Sequence, residues 1–350
     1  MSETPEEIRG RSPLLGAVVV HWRNEEHLER LLAAWPPATP LVVVDNSSTL
    51  GAGIAGQAAR LVEPGGNLGF GAGADRGVEE LVRCWPALEW VLVLNPDAVP
   101  LPGAIEALEA AIRDDSGSFA DAAGLVPALE GAGGSSQCAW QLQPLPSATD
   151  LWLQTLFLGG SRGPRTPPPE GTPIGQPAAA ALVLGLRELR SVGGFGDAYF
   201  PAWFEDVDLA RRFADAGHVM RYVPAARVEH AMGGSVPSLG YGPFLWIYYR
   251  HLERYLSRHH AAPWRWAVRL TLPLALVLRL LVLPLRRPRR ARTTAHAAAG
   301  LLGVLAGTLG GWRWPRAWAR RFASPARPSG RELEAARGRM AEKSGAEGRP

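Results

Sequence analysis

The sequence predicts an α/β fold with a mostly parallel central sheet. Apolar, strand-like runs alternate with helix-like segments: residues 14–21 read as a strand, 25–35 as an amphipathic helix, and 41–44 as a second strand. A strand–helix–strand order of this kind joins parallel neighbours. A helix is then expected from about residue 76 to 84, before a further apolar strand at 90–94.

The middle of the chain reads as less regular. Residues 103–113 and 205–216 are predicted helices, whereas 124–148 shows no period of either kind. Residues 159–177 are so rich in proline and glycine that we expect a mobile loop, placed to act as a lid. A chain of 350 residues can form one large α/β domain and still have roughly a hundred residues left over.

Charge is unevenly distributed along the chain. Residues 1–249 hold 16 Arg and 28 Asp or Glu, a balance of −12, whereas residues 250–340 hold 19 Arg and 3 Glu, a balance of +16. Because these later arginines are interleaved with long apolar runs, the pattern favours an anionic membrane surface, and not nucleic acid, as partner. The predicted regions are a flexible N-terminus at 1–13, the α/β domain at 14–256, a basic hydrophobic, membrane-associating helical region at 257–322 and a disordered tail at 323–350.

Residues 264–285 have nearly the length of a membrane-spanning helix. Arginines on this segment argue against spanning, because at 100° per residue they fall within an arc of about 100°. These arginines are Arg265, Arg269, Arg279 and Arg286. We predict an amphipathic helix lying in the membrane surface, bent or broken at Pro273 and Pro284. The alternative is that these helices cap the α/β domain.

The cysteines and the N-terminus bear on location. Cys84 and Cys138 match no metal-binding spacing and are too few for a disulfide framework, so a reducing compartment is expected. The first seven residues are acidic where a signal peptide carries positive charge. We therefore expect a cytoplasmic protein bound peripherally to the inner face of the cell membrane.

Two acidic clusters indicate the chemistry. Asp97 follows a buried strand, where α/β sheets bind ligands, and it could hold a metal ion there. Glu205, Asp206 and Asp208 open a predicted helix, and their mutual repulsion raises the proton affinity of at least one, as a general base requires. We choose Asp206 as the base. The structural alternatives are an Asn-Pro-Asp turn at the first cluster and, at the second, charges that complement the helix dipole.

Taken in order, six segments resemble the family 2 glycosyltransferases with the GT-A fold, especially the bacterial rhamnosyltransferase-like branch. They are Val43–Ser48, Asn67–Gly73, Leu92–Asp97, Gly193–Phe195, Phe204–Leu209 and Val223–His230. The resemblance extends over about residues 15–256. It implies an inverting enzyme that moves a sugar from a nucleotide-diphospho-sugar to a saccharide acceptor. The sugar that the resemblance favours is L-rhamnose, from dTDP-rhamnose. The acceptor would be lipid-linked and used in cell-wall or surface-polysaccharide synthesis.

The resemblance also assigns roles to residues. Asp206, with Glu205 beside it, is implied as catalytic, and Asp97 and His230 as ligands of a divalent metal ion, Mg²⁺ or Mn²⁺. Asp45 would contact the nucleotide base. The implied binding set for the nucleotide-diphospho-sugar is Asp45, Asn67, Gly69, Phe70, Asn95 and Asp97.

Departures from the family pattern leave the donor open. The chain has His21–Arg23 where relatives often carry Asn-Trp-Asn, Asp75–Arg76 in place of an Asn pair, and Ala178–Ala179 in place of Ser-Gly. A UDP-sugar such as UDP-galactofuranose is an alternative donor. A non-catalytic nucleotide-sugar-binding or membrane scaffold module is the alternative of another class. Residues 69–74 also match G-x-G-x-x-A, the dinucleotide fingerprint, although the strand before them is short and polar.

Overall fold

The computed structural model describes residues 13–23, 25–55, 60–160, 162–231, 240–285, 288, 291, 293–313, 315 and 322. The predictions for residues 1–12 and for the tail at 323–350 lie outside the described residues. The strands are β1 (Leu15–His21), β2 (Leu41–Asp45), β3 (Arg60–Val62), β4 (Trp90–Leu94), β5 (Ala98–Pro100), β6 (Ala122–Glu130), β7 (Leu142–Gln143), β8 (Gln176–Pro177), β9 (Ala181–Gly185) and β10 (Val219–His230). The helices are α1 (Glu25–Ala34), α2 (Ala52–Ala55), α3 (Phe70–Cys84), α4 (Ala104–Ile112), α5 (Cys138–Gln141), α6 (Ala148–Thr155), α7 (Leu186–Ser191), α8 (Glu205–Asp215), α9 (Tyr241–His259), α10 (Ala262–Val282) and α11 (Thr294–Gly310).

Within the described residues, eight strands form one sheet in the order β3-β2-β1-β4-β9-β6-β10-β5, and β7 pairs with β8 separately. β1 is parallel to β2 and β4, β2 to β3, and β6 to β10. β9 and β5 join their neighbours antiparallel. The predicted α/β class and mostly parallel sheet are therefore confirmed.

Both faces of the sheet are buried, as the unbroken apolar runs of its central strands require. Because side chains alternate along a strand, Val18 and Val20 of β1 pack on one face and Ala17 and Val19 on the other. The first face is covered by α3, and the second by α1 and α4. The carboxyl ends of the parallel strands β1, β2 and β4 lie at the same end of the sheet.

The glycine-rich stretch forms the start of α3. This helix begins at Phe70, earlier than the predicted start near residue 76. Small residues let it approach the sheet: a Cβ atom on Gly77 would lie 2.3 Å from Val18 Cγ1 and 3.0 Å from Val44 Cγ2. The low helix propensity of glycine is thus outweighed by close packing, which sequence propensity does not register. Asp75 of α3 accepts hydrogen bonds from the N–H groups of Phe195 and Gly196 at 2.8 and 2.7 Å, anchoring the turn after α7.

The C-terminal helices pack on the α/β part of the chain. The predicted boundary between residues 256 and 257 falls within α9, and α9, α10 and α11 share an apolar cluster with Phe204. α10 continues through Pro273, contrary to a break there, and it ends at Val282, shortly before Pro284, in line with the break predicted at that position. Packed residues on both sides of the proline, such as Leu272 and Leu276, hold the helix together despite the missing backbone N–H. Among the helices described, none is both long and apolar enough to cross a membrane.

The basic stripe predicted along α10 faces the protein at two of its positions. Arg269 donates from Nε to Oε1 of the buried Glu253, and the Arg279 guanidinium lies 3.1 Å from the Phe157 ring centroid. A buried carboxylate without a cation would be strongly destabilising, which accounts for the inward position of Arg269. The exposed face is instead apolar: Leu270 is 73% and Leu281 70% exposed. Arg286 lies outside the described residues.

The proline-rich segment at 159–177 is irregular, as predicted, but its second half is tied to the sheet. Gly171 N–H donates to the Tyr222 carbonyl at 2.9 Å, and Ile174 N–H to the Met220 carbonyl at 2.8 Å. Pairing of β8 with β7 fixes its end. In the first half, Arg162 N–H donates to Gln143 Oε1 at 2.9 Å, and the mobility of this segment remains a prediction.

Candidate functional site

A cavity of about 230 Å³, here called the inner cavity, lies at the carboxyl ends of β1, β2 and β4. Chain segments that leave these strands line it, since ligand sites of α/β sheets form where parallel strands end. Trp22 follows β1, Asn46 follows β2, and Asn95 and Asp97 follow β4. Among the predicted residues, the wall includes Asn67, Gly69, Phe70, Asn95, Asp97, Glu205, Asp206 and His230.

Asp97, in the turn after β4, and His230, the last residue of β10, meet in this cavity although they lie far apart in the sequence. His230 Nε2 is 3.6 Å from Asp97 Oδ1, and both side chains are buried. Gln137 sets the orientation of the imidazole: its Nε2 donates to the His230 carbonyl at 2.7 Å, so its Oε1 must accept from His230 Nδ1, 2.9 Å away. Trp140 stacks on the ring, with centroids 5.4 Å apart. The proton of the imidazole is thus placed on Nδ1.

This arrangement fits a divalent metal ion. Burial lowers the pKa of His230, although the charge of Asp97 opposes this, so the neutral ring turns the lone pair of Nε2 toward the carboxylate. Two electron-pair donors that face each other across 3.6 Å suit a cation between them. A metal-binding histidine characteristically donates its other N–H to a fixed acceptor, as His230 does to Gln137. No group of three or more His, Cys, Asp or Glu side chains suited to a metal occurs among the described residues, so further ligands would have to come from substrate or water.

Glu205 and Asp206 open α8 on the cavity wall. The two residues before them, Trp203 and Phe204, adopt left-handed backbone conformations with φ of 72° and 76°, a strain typical of functional sites. Asp206 accepts from the N–H groups of Val207 at 2.8 Å and Ala179 at 3.4 Å. Burial raises the pKa of Asp206.

The two neighbouring acids differ in their surroundings. Burial and the adjacent charge of Asp206 raise the pKa of Glu205 well above its usual value. Glu205 Oε2 is buried and has no hydrogen-bond partner among the described residues. Two adjacent carboxyls with different surroundings favour one neutral and one ionised group, and the hydrogen bonds to Asp206 favour it as the ionised one.

The third acid of the cluster, Asp208, is structural. It is fully buried and accepts from Tyr199 Oη at 2.9 Å, from Arg212 Nε at 2.7 Å and from His259 Nε2 at 2.7 Å. Burial alone would raise its pKa, but the hydrogen bonds from His259 and Arg212 outweigh that effect and lower it. Asp208 therefore ties α8 to α9, and the structural interpretation of this acid holds.

A second cavity of about 600 Å³, here called the outer cavity, adjoins the first. Asp206, Trp140, Ala178 and Trp203 line both cavities. The remaining wall of the outer cavity carries amide and hydroxyl groups together with aromatic faces, the surfaces that hold sugars. Its polar side chains include Gln143, Gln154, Gln176 and Tyr248. Asp206 therefore stands between two chambers, within reach of a group in each.

Asp45 does not line the inner cavity. Its Oδ1 is hydrogen bonded to His21 Nδ1 at 3.0 Å, Ser47 N at 3.0 Å and Ser47 Oγ at 2.8 Å, and its Oδ2 accepts from Leu50 N at 3.1 Å. Burial by itself would raise the pKa of Asp45, but these hydrogen bonds lower it to about 2. Asp45 is also almost fully buried, so a nucleotide base could contact this carboxylate only after the residues that cover it move. The neighbouring Asn46 reaches the wall instead.

Asn67 and Gly69 are held by local contacts. Asn67 Oδ1 accepts from Gly69 N at 2.8 Å, and Asn46 Nδ2 donates to the Gly69 carbonyl at 2.9 Å. Gly69 has φ of 81°, and a Cβ atom there would lie 2.9 Å from the Pro201 carbonyl oxygen. Asn67 Nδ2 also donates to the carbonyl of Phe322 at 2.9 Å, so a C-terminal residue forms part of the wall.

Sequence reasoning missed several wall or support residues, among them Asn46, Gln137, Trp140, Trp203 and Phe322. Asn46 belongs to the Val43–Ser48 motif, so its position after β2 was a usable signal. Gln137 and Trp140 lie in the segment read as irregular, where no pattern predicts which side chains turn inward. Phe322 comes from the region assigned to the membrane.

Sequence comparison identifies relatives of this chain. No protein-family model matches the chain. Two relatives from two strains of Mycobacterium tuberculosis, each named N-acetylglucosaminyl-diphospho-decaprenol L-rhamnosyltransferase, are 32% identical over 298 residues, which cover 75% of this chain and 91% of each relative. A crystal structure of GalNAc-T7 with UDP, GalNAc and Mn²⁺ superposes with a TM-score of 0.45 and 13% identity, over 68% of this chain and 47% of that one. On its identity to curated relatives over most of both chains, this protein belongs to the rhamnosyltransferase-like family 2 glycosyltransferases.

Proposed function

We propose that this glycosyltransferase moves L-rhamnose from dTDP-rhamnose to a sugar hydroxyl of a lipid-linked saccharide, with inversion at the anomeric carbon. The observation that carries the proposal is the position of Asp206 on the wall shared by the inner and outer cavities. A base between donor and acceptor chambers can take the proton of an attacking hydroxyl. The names of the two mycobacterial relatives support rhamnose as the sugar and a polyprenyl-diphosphate acceptor.

The inner cavity is proposed as the donor site. Asn67, Gly69, Phe70 and Asn95 on its wall would contact the nucleotide-diphospho-sugar. Asp97 and His230 would hold the divalent metal ion, Mg²⁺ or Mn²⁺. When bound, this ion would neutralise the diphosphate charge. Gln137 would keep His230 Nδ1 protonated and Nε2 directed at the metal position.

The outer cavity is proposed as the acceptor site. An acceptor hydroxyl beside Asp206 would transfer its proton to the carboxylate as its oxygen bonds to the anomeric carbon and the bond from that carbon to the diphosphate oxygen breaks. Because nucleophile and leaving group lie on opposite sides of the carbon, the configuration inverts. Val207 and Ala179 N–H groups hold the Asp206 carboxylate in place for this transfer. Trp140 and Trp203 offer apolar ring faces to the two sugars.

Activity at the inner face of the cell membrane follows from a lipid-linked acceptor. The exposed apolar face of α10 supports this location, because surfaces rich in exposed leucine mark interaction sites. Contact with the membrane would use this apolar face as well as the basic residues of the C-terminal region. No part of the proposed mechanism requires the chain to cross the bilayer.

A donor and acceptor panel tests the proposal. The purified full-length chain is incubated with Mn²⁺ or Mg²⁺, a synthetic N-acetylglucosaminyl-diphospho-prenol and either dTDP-rhamnose, UDP-galactofuranose or dTDP-glucose, and products are measured by mass spectrometry. We expect a rhamnosylated product from dTDP-rhamnose, with loss of the product on chelation of the metal. Transfer from UDP-galactofuranose instead would support the alternative donor. Absence of any glycosylated product would refute the proposal.

A further inference from the structure

A third surface feature, here called the apolar groove, runs between the end of α6 and α10. It encloses about 1070 Å³. Leucine, valine and phenylalanine side chains dominate its lining, and several are unusually exposed for their type: Leu274 is 61%, Leu278 54% and Val282 50% exposed. Leu156 and Leu301 complete the opposite side. Such a groove is built for an apolar ligand.

The apolar groove opens into the outer cavity. Phe157 and Arg279 line both spaces, and Asp206 lies on the wall of the outer cavity. The guanidinium of Arg279 lies 3.1 Å from the Phe157 ring centroid, so a cation stands at the point where the apolar wall gives way to the polar one. Arg279 is held there by α10, whose buried face packs on α9 and α11 through residues such as Leu272 and Leu276.

Three elements therefore follow one another: the outer cavity with Asp206, the cation of Arg279 and the apolar groove. A ligand that matches this order has a sugar at one end, a diphosphate next to it and a hydrocarbon chain at the other end. Guanidinium groups bind phosphate oxygens well, because their planar set of N–H donors matches those oxygens in charge and geometry. A water-soluble saccharide would leave both the cation and the groove unused.

We propose that the apolar groove binds the first isoprene units of a glycosyl polyisoprenoid diphosphate and that Arg279 binds its diphosphate. This inference rests on the proposed function, because it places the acceptor sugar beside Asp206. Leu274 to Val282 extend about 12 Å along α10, so the groove holds only the start of a long chain. The rest would leave over the exposed face of α10, where Leu281 is 70% exposed.

The choice of control uses a matched pair of leucines on the same helix. Leu274 lines the groove, whereas Leu270, one turn earlier and 73% exposed, does not. Both are solvent-exposed, so Leu274→Gln and Leu270→Gln should leave the fold intact, which circular dichroism and the unfolding midpoint verify. If binding needs only a general apolar surface, either change should weaken it. If the ligand binds in the apolar groove, only Leu274→Gln should weaken binding.

The first experiment measures binding without transfer. Isothermal titration with farnesyl diphosphate, which has no sugar, is performed on the wild-type chain and on Leu274→Gln, Leu270→Gln and Arg279→Gln, with geranyl phosphate and inorganic diphosphate as comparison probes. We expect about ten-fold weaker binding of farnesyl diphosphate for Leu274→Gln and for Arg279→Gln, and unchanged binding for Leu270→Gln. Equal effects of the two leucine changes, or no effect of Leu274→Gln, would overturn the groove assignment.

The second experiment measures transfer to acceptors that share the sugar but differ in the lipid or in the presence of the diphosphate. KM is compared for N-acetylglucosaminyl-diphospho-farnesol, the corresponding ethyl diphosphate and octyl N-acetylglucosaminide. Leu274→Gln should raise KM for the farnesyl acceptor alone, and Arg279→Gln should raise it for both diphosphates but not for the octyl glycoside. If Arg279→Gln leaves KM unchanged for both diphosphate acceptors, the assignment of Arg279 as the diphosphate site is wrong. If no acceptor is glycosylated while farnesyl diphosphate still binds as expected, the proposed function fails and the lipid groove stands.

Discussion

Gln137 holds His230 through two hydrogen bonds of opposite direction, from Gln137 Nε2 to the His230 carbonyl at 2.7 Å and from His230 Nδ1 to Gln137 Oε1 at 2.9 Å. The first bond fixes which end of the amide faces the ring, and the second then fixes the imidazole tautomer. As a result, the lone pair of His230 Nε2 points at Asp97 Oδ1, 3.6 Å away. The side-chain amide of Gln137, which is not itself a predicted ligand, thus decides whether Asp97 and His230 can bind a metal ion.

Replacement of Gln137 by leucine should therefore weaken metal binding. We expect Gln137→Leu to reduce Mn²⁺ affinity about 10- to 100-fold, the range typical of lost support to a metal-binding histidine. The measurement is a Mn²⁺ titration by electron paramagnetic resonance in the presence of dTDP. Gln154→Leu, which alters an amide of the outer cavity bonded to Tyr248, should leave the affinity unchanged. Equal Mn²⁺ affinity in wild type and Gln137→Leu would show that the imidazole needs no such support.

Asp45 should contribute to stability in a pH-dependent way. Its pKa of about 2 in the folded chain lies below the value of about 3.9 in an unfolded chain, so its contribution is full above about pH 4 and is lost as the pH falls toward 2. We expect Asp45→Asn to lower the free energy of unfolding by about 1–2 kcal/mol at pH 7. Urea unfolding of both proteins between pH 7 and pH 3 measures this, and the difference should shrink toward acid.

The control for this prediction is Asp121→Asn. Asp121 is exposed and pairs with Arg221, so its removal should leave the free energy of unfolding close to that of the wild type. A loss at Asp45 that does not exceed the loss at Asp121, or that is independent of pH, would contradict the role of the buried hydrogen bonds.

The meeting of Asp97, His230 and Asp206 could be expected from sequence, because each lies at a strand end or a helix start within a motif. Parallel strands of one sheet have their carboxyl ends on the same side, so residues that follow different strands can lie close together although they are far apart in the sequence. The burial of Asp45 could not be expected in the same way. Its main partner, His21, belongs to another strand, and the pairing of β1 with β2 alone brings the two together.

The orientation of α10 could not be predicted from the sequence for a similar reason. Periodicity located an apolar face and a basic face, but it could not decide which one faces the protein. The position of Glu253 on α9 decided it at Arg269. Residues 124–148 present the converse case: they lack a period, yet they supply Gln137 and Trp140 to the site.

Glu205 and Asp206 should respond differently to removal of their charge. Burial and the charge of Asp206 raise the pKa of Glu205 well above its usual value, so a glutamine, which resembles the neutral acid in shape, should be tolerated. We expect Glu205→Gln to keep activity within about ten-fold of wild type and to remain folded. Initial rates of sugar transfer measure this. A loss as large as that expected of a general base would place the ionised carboxylate at position 205 instead.

Close packing of α3 on the sheet predicts a stability effect at Gly77. A Cβ atom there would meet Val18 Cγ1 at 2.3 Å, so Gly77→Ala should destabilise the chain by about 1–3 kcal/mol. Gly310, at the end of α11, has no atom within 4 Å of such a Cβ, and Gly310→Ala should be neutral or slightly stabilising. Thermal unfolding compares the two. A neutral Gly77→Ala would mean that the helix can move away from the sheet without cost.

The most direct measurement of the central claim is the rate of rhamnose transfer by Asp206→Asn, determined together with donor affinity on the same preparation. Asparagine keeps the shape of the side chain but cannot accept the proton, so we predict unchanged binding of dTDP-rhamnose and a loss of about 10²- to 10⁴-fold in kcat. Asp215→Asn, at the exposed end of the same helix, should retain wild-type rates. Transfer by Asp206→Asn at the wild-type rate would contradict the assignment of the base between the two cavities.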